Sequence, residues 1–177
     1  EQLAEIKILK AQEEKDIQQS IPSWFLKVPG NTEKNMFVRG THVSDTLQGS
    51  IDIATNRALS ALGKKIEARI SYKGDEMFKE ASMGEDAASK TEVNLISQTV
   101  VKEVTVSGWE VAESKIVSLD NGNYRSFVLL QYPLGQVYKA FINRIEQSPK
   151  LKSSVTALKN TDTFKELEQY VSEFTGA

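Results

Sequence analysis

Residues 36–72 read MFVRGTHVSDTLQGSIDIATNRALSALGKKIEARISY, and the division of this stretch into elements decides the fold. Met36 to Val43 is short, β-branched and aromatic, the composition of a strand. Gly40 leaves a gap in one of its faces, which suits the close approach of a backbone from across the core. Ser44-Asp45 stops the strand and can cap a helix. From Thr46 to about Ile66, the residues Leu47, Ile51, Ala54, Ala58, Ala61, Leu62 and Ile66 recur mainly at spacings of four and three, so they share one helical face. Alanine is frequent on that face, which lets the helix axis lie close to a sheet. From Glu67 the period changes to two: Ala68, Ile70 and Tyr72 alternate with Glu67, Arg69, Ser71 and Lys73, the pattern of a second, half-buried strand.

The sheet that this helix needs is signalled farther along. Lys102 to Leu119 and Tyr124 to Tyr132 are β-rich runs around Asp120-Asn121-Gly122-Asn123, and Asn-Gly between alternating apolar runs predicts a hairpin whose two central residues take positive φ. In the first run Val104 and Val106 share one parity, Trp109 and Val111 the other. A β-bulge near Gly108 would bring all four to one face. Between the helix and the hairpin, Lys73 to Asp86 has no clean period and reads as an exposed connection touching down at Met77, Phe78 and Met83. Ala87 to Val101 resumes a helical pattern through Ala88, Val93, Ile96 and Val100.

Both ends read as helical. Gln2 to Gln19 consists of good helix formers with a thin stripe, Leu3, Ile6, Leu9 and Ile17, so it packs by its first half on its own domain or on a neighbour. Ser20 to Gly30 has Pro22 and Pro29 bracketing Trp24-Phe25-Leu26, an anchored extended segment whose apolar side chains cover the core edge or a partner. After the hairpin, Val137, Phe141 and Ile145 with Tyr138 and Ile142 make one helical stripe. Ser148-Pro149 starts a turn continued by Leu151, Val155 and Leu158. Thr161-Asp162-Thr163 can cap a last helix bearing Phe164, Leu167, Val171 and Phe174. The expected fold class is therefore α+β: a long helix packed on a small antiparallel sheet, with amphipathic helical extensions at both termini. The expected divisions are an N-terminal extension over residues 1–20, a core over 21–133 and a C-terminal extension over 134–177.

Composition excludes several kinds of chemistry. The 177 residues include no cysteine, which removes disulfides, thiolate metal sites and thiol catalysis. Basic and acidic residues number 22 and 24 and are interspersed, so no footprint for nucleic acid or an anionic membrane is present. No stretch reaches the roughly eighteen apolar residues that span a bilayer, and Glu1-Gln2-Leu3-Ala4-Glu5 lacks the basic start of a targeting peptide. His42 is the sole histidine and reads as a strand surface residue rather than a metal ligand or general base. Asn56-Arg57 reads as a solvated helix flank, and the carboxylate pairs Glu85/Asp86 and Glu166/Glu168 as charged surface. No nucleotide-binding glycine loop, nucleophile elbow, zinc-helix motif or calcium loop occurs. No catalytic residue, metal ligand or cofactor site is expected.

Pro22-Ser23-Trp24 with Pro29, the strand Phe37-Val38-Arg39-Gly40 and the helix Ala54-Thr55-Asn56-Arg57-Ala58-Leu59-Ser60-Ala61-Leu62, followed by Val104 to Val117 with Trp109 and by Tyr124 to Tyr132, resemble the small bacterial outer-membrane lipoprotein family of the Lpp-twenty type. Its relatives include the flagellar basal-disk lipoprotein. The resemblance covers Pro22 to Tyr132. It implies a helix on a small antiparallel sheet, an extracytoplasmic place in the periplasm or outer membrane, and non-enzymatic work through assembly. Two features depart from the family pattern: the chain carries no lipid-acceptor cysteine, and the helices after Leu134 are long.

The leading expectation is thus an extracytoplasmic structural protein that self-associates into a ring, disk or filament, with other envelope proteins as further partners and a membrane only through a lipid anchor that this chain does not carry. Its contacts would come from Leu3, Ile6 and Leu9 at one end and Phe141, Phe164 and Phe174 at the other. A second expectation, of a different class, is a binding module for a peptide, glycan or small ligand, with Trp24, Phe25 and Trp109 lining an apolar cleft. A structural protein of a virus particle is a third.

Overall fold

The four-residue spacing of Ala54, Ala58, Leu62, Ile66 and Ile70 does not stop where the alternation of Ala68, Ile70 and Tyr72 begins, and in the structure the helix runs unbroken from Leu47 to Glu80. The computed structural model describes residues 2–83, 86–105 and 107–175, and for residues 13–19 the backbone alone; Ile17, Gly84, Glu85 and Val106 accordingly lie outside the described side chains. In chain order the elements are α1 (Gln2–Ser20), α2 (Ser23–Leu26), β1 (Asn35–Ser44), α3 (Leu47–Glu80), α4 (Ala87–Val104), β2 (Glu110–Ser118), β3 (Tyr124–Pro133), α5 (Leu134–Gln147), α6 (Val155–Lys159) and α7 (Asp162–Thr175), with one 3-10 turn at Pro149–Leu151. The class is α+β, a three-stranded antiparallel sheet in the order β1-β3-β2 with a long helix packed on it.

The second strand expected at Glu67 to Tyr72 is helix. Ile70 satisfies both periods, but it is buried while Ala68 and Tyr72 are exposed. The stripe continues through Lys73, Met77 and Phe78, all buried, so most of the expected exposed connection belongs to α3, a helix of 34 residues. The start of α3 also differs from the expected Ser44-Asp45 cap. Ser44 Oγ accepts from Thr46 N–H at 3.3 Å, whereas Thr46 Oγ1 accepts from Gly49 N–H at 3.1 Å and is the side chain that caps the first turn. Leu47, expected on the core face, is exposed there.

The first run of the hairpin shortens for a similar reason. Val93, Ile96, Val100 and Val104 lie three and four apart and are buried together on α4, so packing overrides the β preference of valine and Lys102 to Val104 remain helical. Gly108, at φ +94°, sits between α4 and β2 rather than at a bulge. Val104 is buried on the helix, Trp109 is half-buried, and Val111 is exposed, so these residues do not form one face. The hairpin itself is present, joined by a three-residue loop: Leu119 N–H donates to Asn123 C=O at 2.8 Å and Gly122 N–H donates to Leu119 C=O at 3.0 Å. Among the described loop residues only Gly122 has positive φ, at +83°. This is a turn closed by a glycine bulge rather than the two-residue turn that Asn-Gly suggested.

Contacts group the chain into two units that differ from the expected divisions. The first comprises Glu1–Pro29, Val38–Ala58 and Val111–Leu130; the second comprises Gly30–Phe37, Leu59–Glu110 and Gln131–Ala177. Within the first, β1 and β3 present one face to the N-terminal half of α3. Gly40 meets the backbone of Ala54 and Ala58, as the gap in the strand implied. Beside it the buried hydroxyls of Ser50 and Ser126 stand 2.6 Å apart. Arg57 donates to Thr41 C=O at 2.9 Å, tying helix to strand where a solvated flank was expected. The opposite face of β3 is covered at Phe127 by Phe25. Within the second unit, α5 packs on α4 and α7, and α6 packs on α7. The stripe Val137, Tyr138, Phe141, Ile142 and Ile145 is buried as its spacing required.

Candidate functional site

Three places gather the residues singled out by sequence or by geometry. The first is α1. Leu3 is 77% exposed and Leu9 63%, with Ile6 and Ile8 also exposed, so among the described residues the first half of α1 does not pack on its own domain, one of the two placements expected for it. The second is the proline-bracketed segment, which is not extended. Pro22 C=O accepts from Phe25 N–H at 3.0 Å and opens the single helical turn α2. That turn seats Phe25 edge-on against Phe127, with ring centroids 5.1 Å apart, and under the Arg39 guanidinium 4.9 Å from the ring centroid. Arg39 also donates to Phe25 C=O. Trp24 packs edge-on against Phe25 at 6.1 Å, while Leu26, expected to be covered, is exposed. Phe25 is thus engaged by its own sheet rather than facing a cleft.

The third place was not among the sites expected from the sequence. In the second unit, Glu33 Oε2 accepts from Arg69 Nη1 at 3.2 Å and from Tyr138 Oη at 3.2 Å, and lies 3.9 Å from Lys73 Nζ. Lys73 Nζ stands 3.7 Å from Glu166 Oε1, which lies on α7. Tyr138 and Tyr170 stack at 5.9 Å. The Lys73 side chain is only 8% exposed, and a buried ammonium is tolerated when carboxylates surround it. Burial raises the Tyr138 hydroxyl well above the usual tyrosine range, with Glu33 adding to the rise and Arg69 opposing it. Tyr170 is raised too, by burial and then by its hydrogen bond to Glu166, and burial pushes Tyr132 up to about 12. All three hydroxyls therefore stay protonated as donors. Two cations face two carboxylates here, so the cluster is neutral and ties Glu33, in the segment before β1, to α3, α5 and α7.

A cavity of about 220 Å³ adjoins this cluster, lined by Glu33, Lys34, Asn35, Pro133, Gly135, Tyr170, Glu173 and Phe174. Its charged groups are already paired, Lys34 with Glu173 at 3.6 Å. Two further cavities in the second unit share Tyr72, and the three are lined by none of Trp24, Phe25 and Trp109. Phe141 and Phe164, expected as contact residues, are fully buried inside their own unit and offer nothing to a partner. Phe174 remains exposed at the rim of the first cavity. Trp109 is half-buried just before β2, and His42 is half-buried on β1. Among the described residues, no three or more His, Cys, Asp or Glu side chains converge as a metal site, and no helix is long and apolar enough to cross a membrane.

No family model matches the chain, and no curated protein or solved structure matches it either.

Proposed function

We propose that this chain is a non-enzymatic structural protein that self-associates, and that it works as an assembly component of a bacterial envelope. The observation that carries the reading is α1, a helix of 19 residues whose apolar side chains Leu3, Ile6, Ile8 and Leu9 are exposed. Burying such a side chain is worth about 1.5 to 3 kcal/mol, and several on one helix supply a driving force for a second copy. The chemistry supports the same direction: the most deeply buried charges, those around Lys73, are neutralised within the fold and brace helices rather than facing a substrate. The envelope placement, with other envelope proteins as neighbours, is supported by the resemblance carried by residues 22–132. The C-terminal contacts are narrower than the sequence suggested, because of Phe141, Phe164 and Phe174 only Phe174 is exposed.

Light scattering coupled to size-exclusion chromatography tests the central point. The chain should run as more than a monomer at tens of micromolar, and Leu3→Glu with Leu9→Glu should shift it toward the monomer without altering its melting temperature. A strict monomer at high concentration overturns the reading. For the envelope placement, the residues encoded immediately before Glu1 decide. A signal peptide ending in small residues and a cysteine supports it, and a cytoplasmic start removes it.

A further inference from the structure

The strand β2 is exposed along almost its whole length: of Glu110 to Ser118 only Val117 is half-buried, Val111 is 53% exposed and Ile116 41%. In the sheet order β1-β3-β2 it is an edge, with β3 on one side and no strand on the other among the described residues. A strand about 30 Å long with a free row of N–H and C=O groups is a template for another strand unless it is blocked.

The register of the hairpin shows which groups are free. Leu119 N–H donates to Asn123 C=O, and in an antiparallel ladder the bonds to the partner then recur at every second residue. The odd-numbered residues of β2 face β3. The backbone groups of Glu110, Ala112, Ser114, Ile116 and Ser118 face outward. A second β2 related by a two-fold axis can bond these groups when the axis falls on a residue and not between two; an axis on Glu113 or Lys115 sets that charge directly against its own copy, which is destabilising.

The even-numbered centres inside the strand, Ala112, Ser114 and Ile116, set no residue of like charge against itself, and they are not equivalent. An axis at Ala112 sets Val111 opposite Glu113 and leaves Lys115 to Ser118 unpaired. An axis at Ile116 sets Lys115 opposite Val117 and leaves Glu110 to Glu113 unpaired. With the axis at Ser114 all nine residues are paired: Val111 faces Val117 of the second copy, Ala112 faces Ile116, and Glu113 faces Lys115, each twice by symmetry. The odd-numbered pairs fall at the positions where no ladder bonds are exchanged and side chains approach most closely. The charged residues that would block an edge against a random strand are therefore complementary to one another in this single register.

We infer that β2 is a homotypic docking edge, pairing antiparallel with β2 of a second copy about a two-fold axis at Ser114 to join two sheets into one. The inference rests on the reading of the chain as self-associating and names one of its interfaces. A two-fold contact closes at two copies, so growth to a larger assembly requires a second surface, for which α1 is exposed.

The chain has no cysteine, which makes the axis directly testable in the intact chain. At the axis Ser114 faces itself with Cα atoms about 5.5 Å apart, within disulfide range. Ser118, equally accessible, would lie about 27 Å from its own copy. Under mild oxidation Ser114→Cys should cross-link to a dimer and Ser118→Cys should not. Glu113→Lys and Lys115→Glu, both at exposed positions, should each weaken association roughly tenfold or more by opposing like charges, and an equimolar mixture of the two should recover it. If Ser114→Cys cross-links no faster than Ser118→Cys in a preparation that still assembles, the strand pairing is overturned while self-association through α1 stands. If the mixture fails to recover, the register is wrong. A monomeric parent chain overturns both readings.

Discussion

Gly40 on β1 lies directly beneath the carbonyl of Ala54 on α3: a Cβ placed on Gly40 would stand 1.9 Å from that oxygen and 3.0 Å from the Ala58 backbone nitrogen. Both neighbours are backbone, so neither can swing aside. Gly40→Ala must therefore push helix and strand apart, and it is expected to cost about 3 kcal/mol, measured as a lower midpoint in urea unfolding. Gly122→Ala, at a position where nothing lies within 4 Å, meets only the backbone cost of positive φ and should cost about 1 kcal/mol. Equal effects would show that the close contact is not limiting.

Ser50 and Ser126 make an asymmetric pair. Ser50 Oγ donates to Leu47 C=O at 2.7 Å, so the proton between the two hydroxyls at 2.6 Å belongs to Ser126. Ser126→Ala removes one hydrogen bond and leaves Ser50 with its own acceptor, a loss of about 1 kcal/mol. Ser50→Ala strands the buried Ser126 donor, a loss of roughly 2 kcal/mol. The double substitution should cost less than the two losses added. Chemical denaturation of the three variants checks the order.

These contacts also show what the sequence could reveal. Gly40 was readable as a close approach because a glycine inside an apolar strand has few other uses, and α5 because Val137, Phe141 and Ile145 fit only one period. Ile70 was ambiguous, since a residue on the stripe of a long helix can also fall on an alternating pattern. Reading it as strand concealed Lys73, which on a continuous helix stands four and three residues from Met77 and Ile70 and so falls on the buried stripe. That spacing was the available signal for the charged cluster. Its carboxylates, Glu33 and Glu166, are 133 positions apart in the chain and only folding brings both to Lys73. The valines of α4 misled in the opposite direction, because β propensity is decided by packing and not by the residue alone.

Within the cluster, the two signs of charge are not equally replaceable. Lys73 has a side chain 8% exposed, against 42% for Glu33 and 44% for Glu166. Lys73→Met leaves two carboxylates that can turn to water, and the similar volume keeps the packing, so stability should fall by less than about 1 kcal/mol. Removing both carboxylates, as Glu33→Gln with Glu166→Gln, leaves a buried ammonium with neither partner and should cost roughly 3 kcal/mol. Adding Lys73→Met to that double variant should recover most of the loss. Thermal melts of the three variants decide it: a larger effect of Lys73→Met alone would mean that the lysine holds the helices together by its charge.

Glu80, the last residue of α3, reaches the start of α7 and caps it from another helix. Its carboxylate accepts from Thr163 N–H at 3.0 Å and from Thr163 Oγ1 at 2.6 Å, which satisfies an N–H of the first turn that has no partner within its own helix. Those hydrogen bonds hold the Glu80 carboxyl below its ordinary value of 4.5, with burial opposing and Lys73 assisting. A group whose folded value is depressed contributes stability that is present above its unfolded value and lost as the pH falls through the folded one. The contribution is therefore full at neutral pH and fades in the acid range below 4.5. Because the carboxylate is open to water, Glu80→Gln should cost only about 1 kcal/mol at neutral pH. Melting curves of the parent and Glu80→Gln should converge as the pH is lowered through that range. A gap that persists at low pH would show that Thr163 bonds the protonated carboxyl as well as the charged one, and that the cap acts through geometry rather than charge.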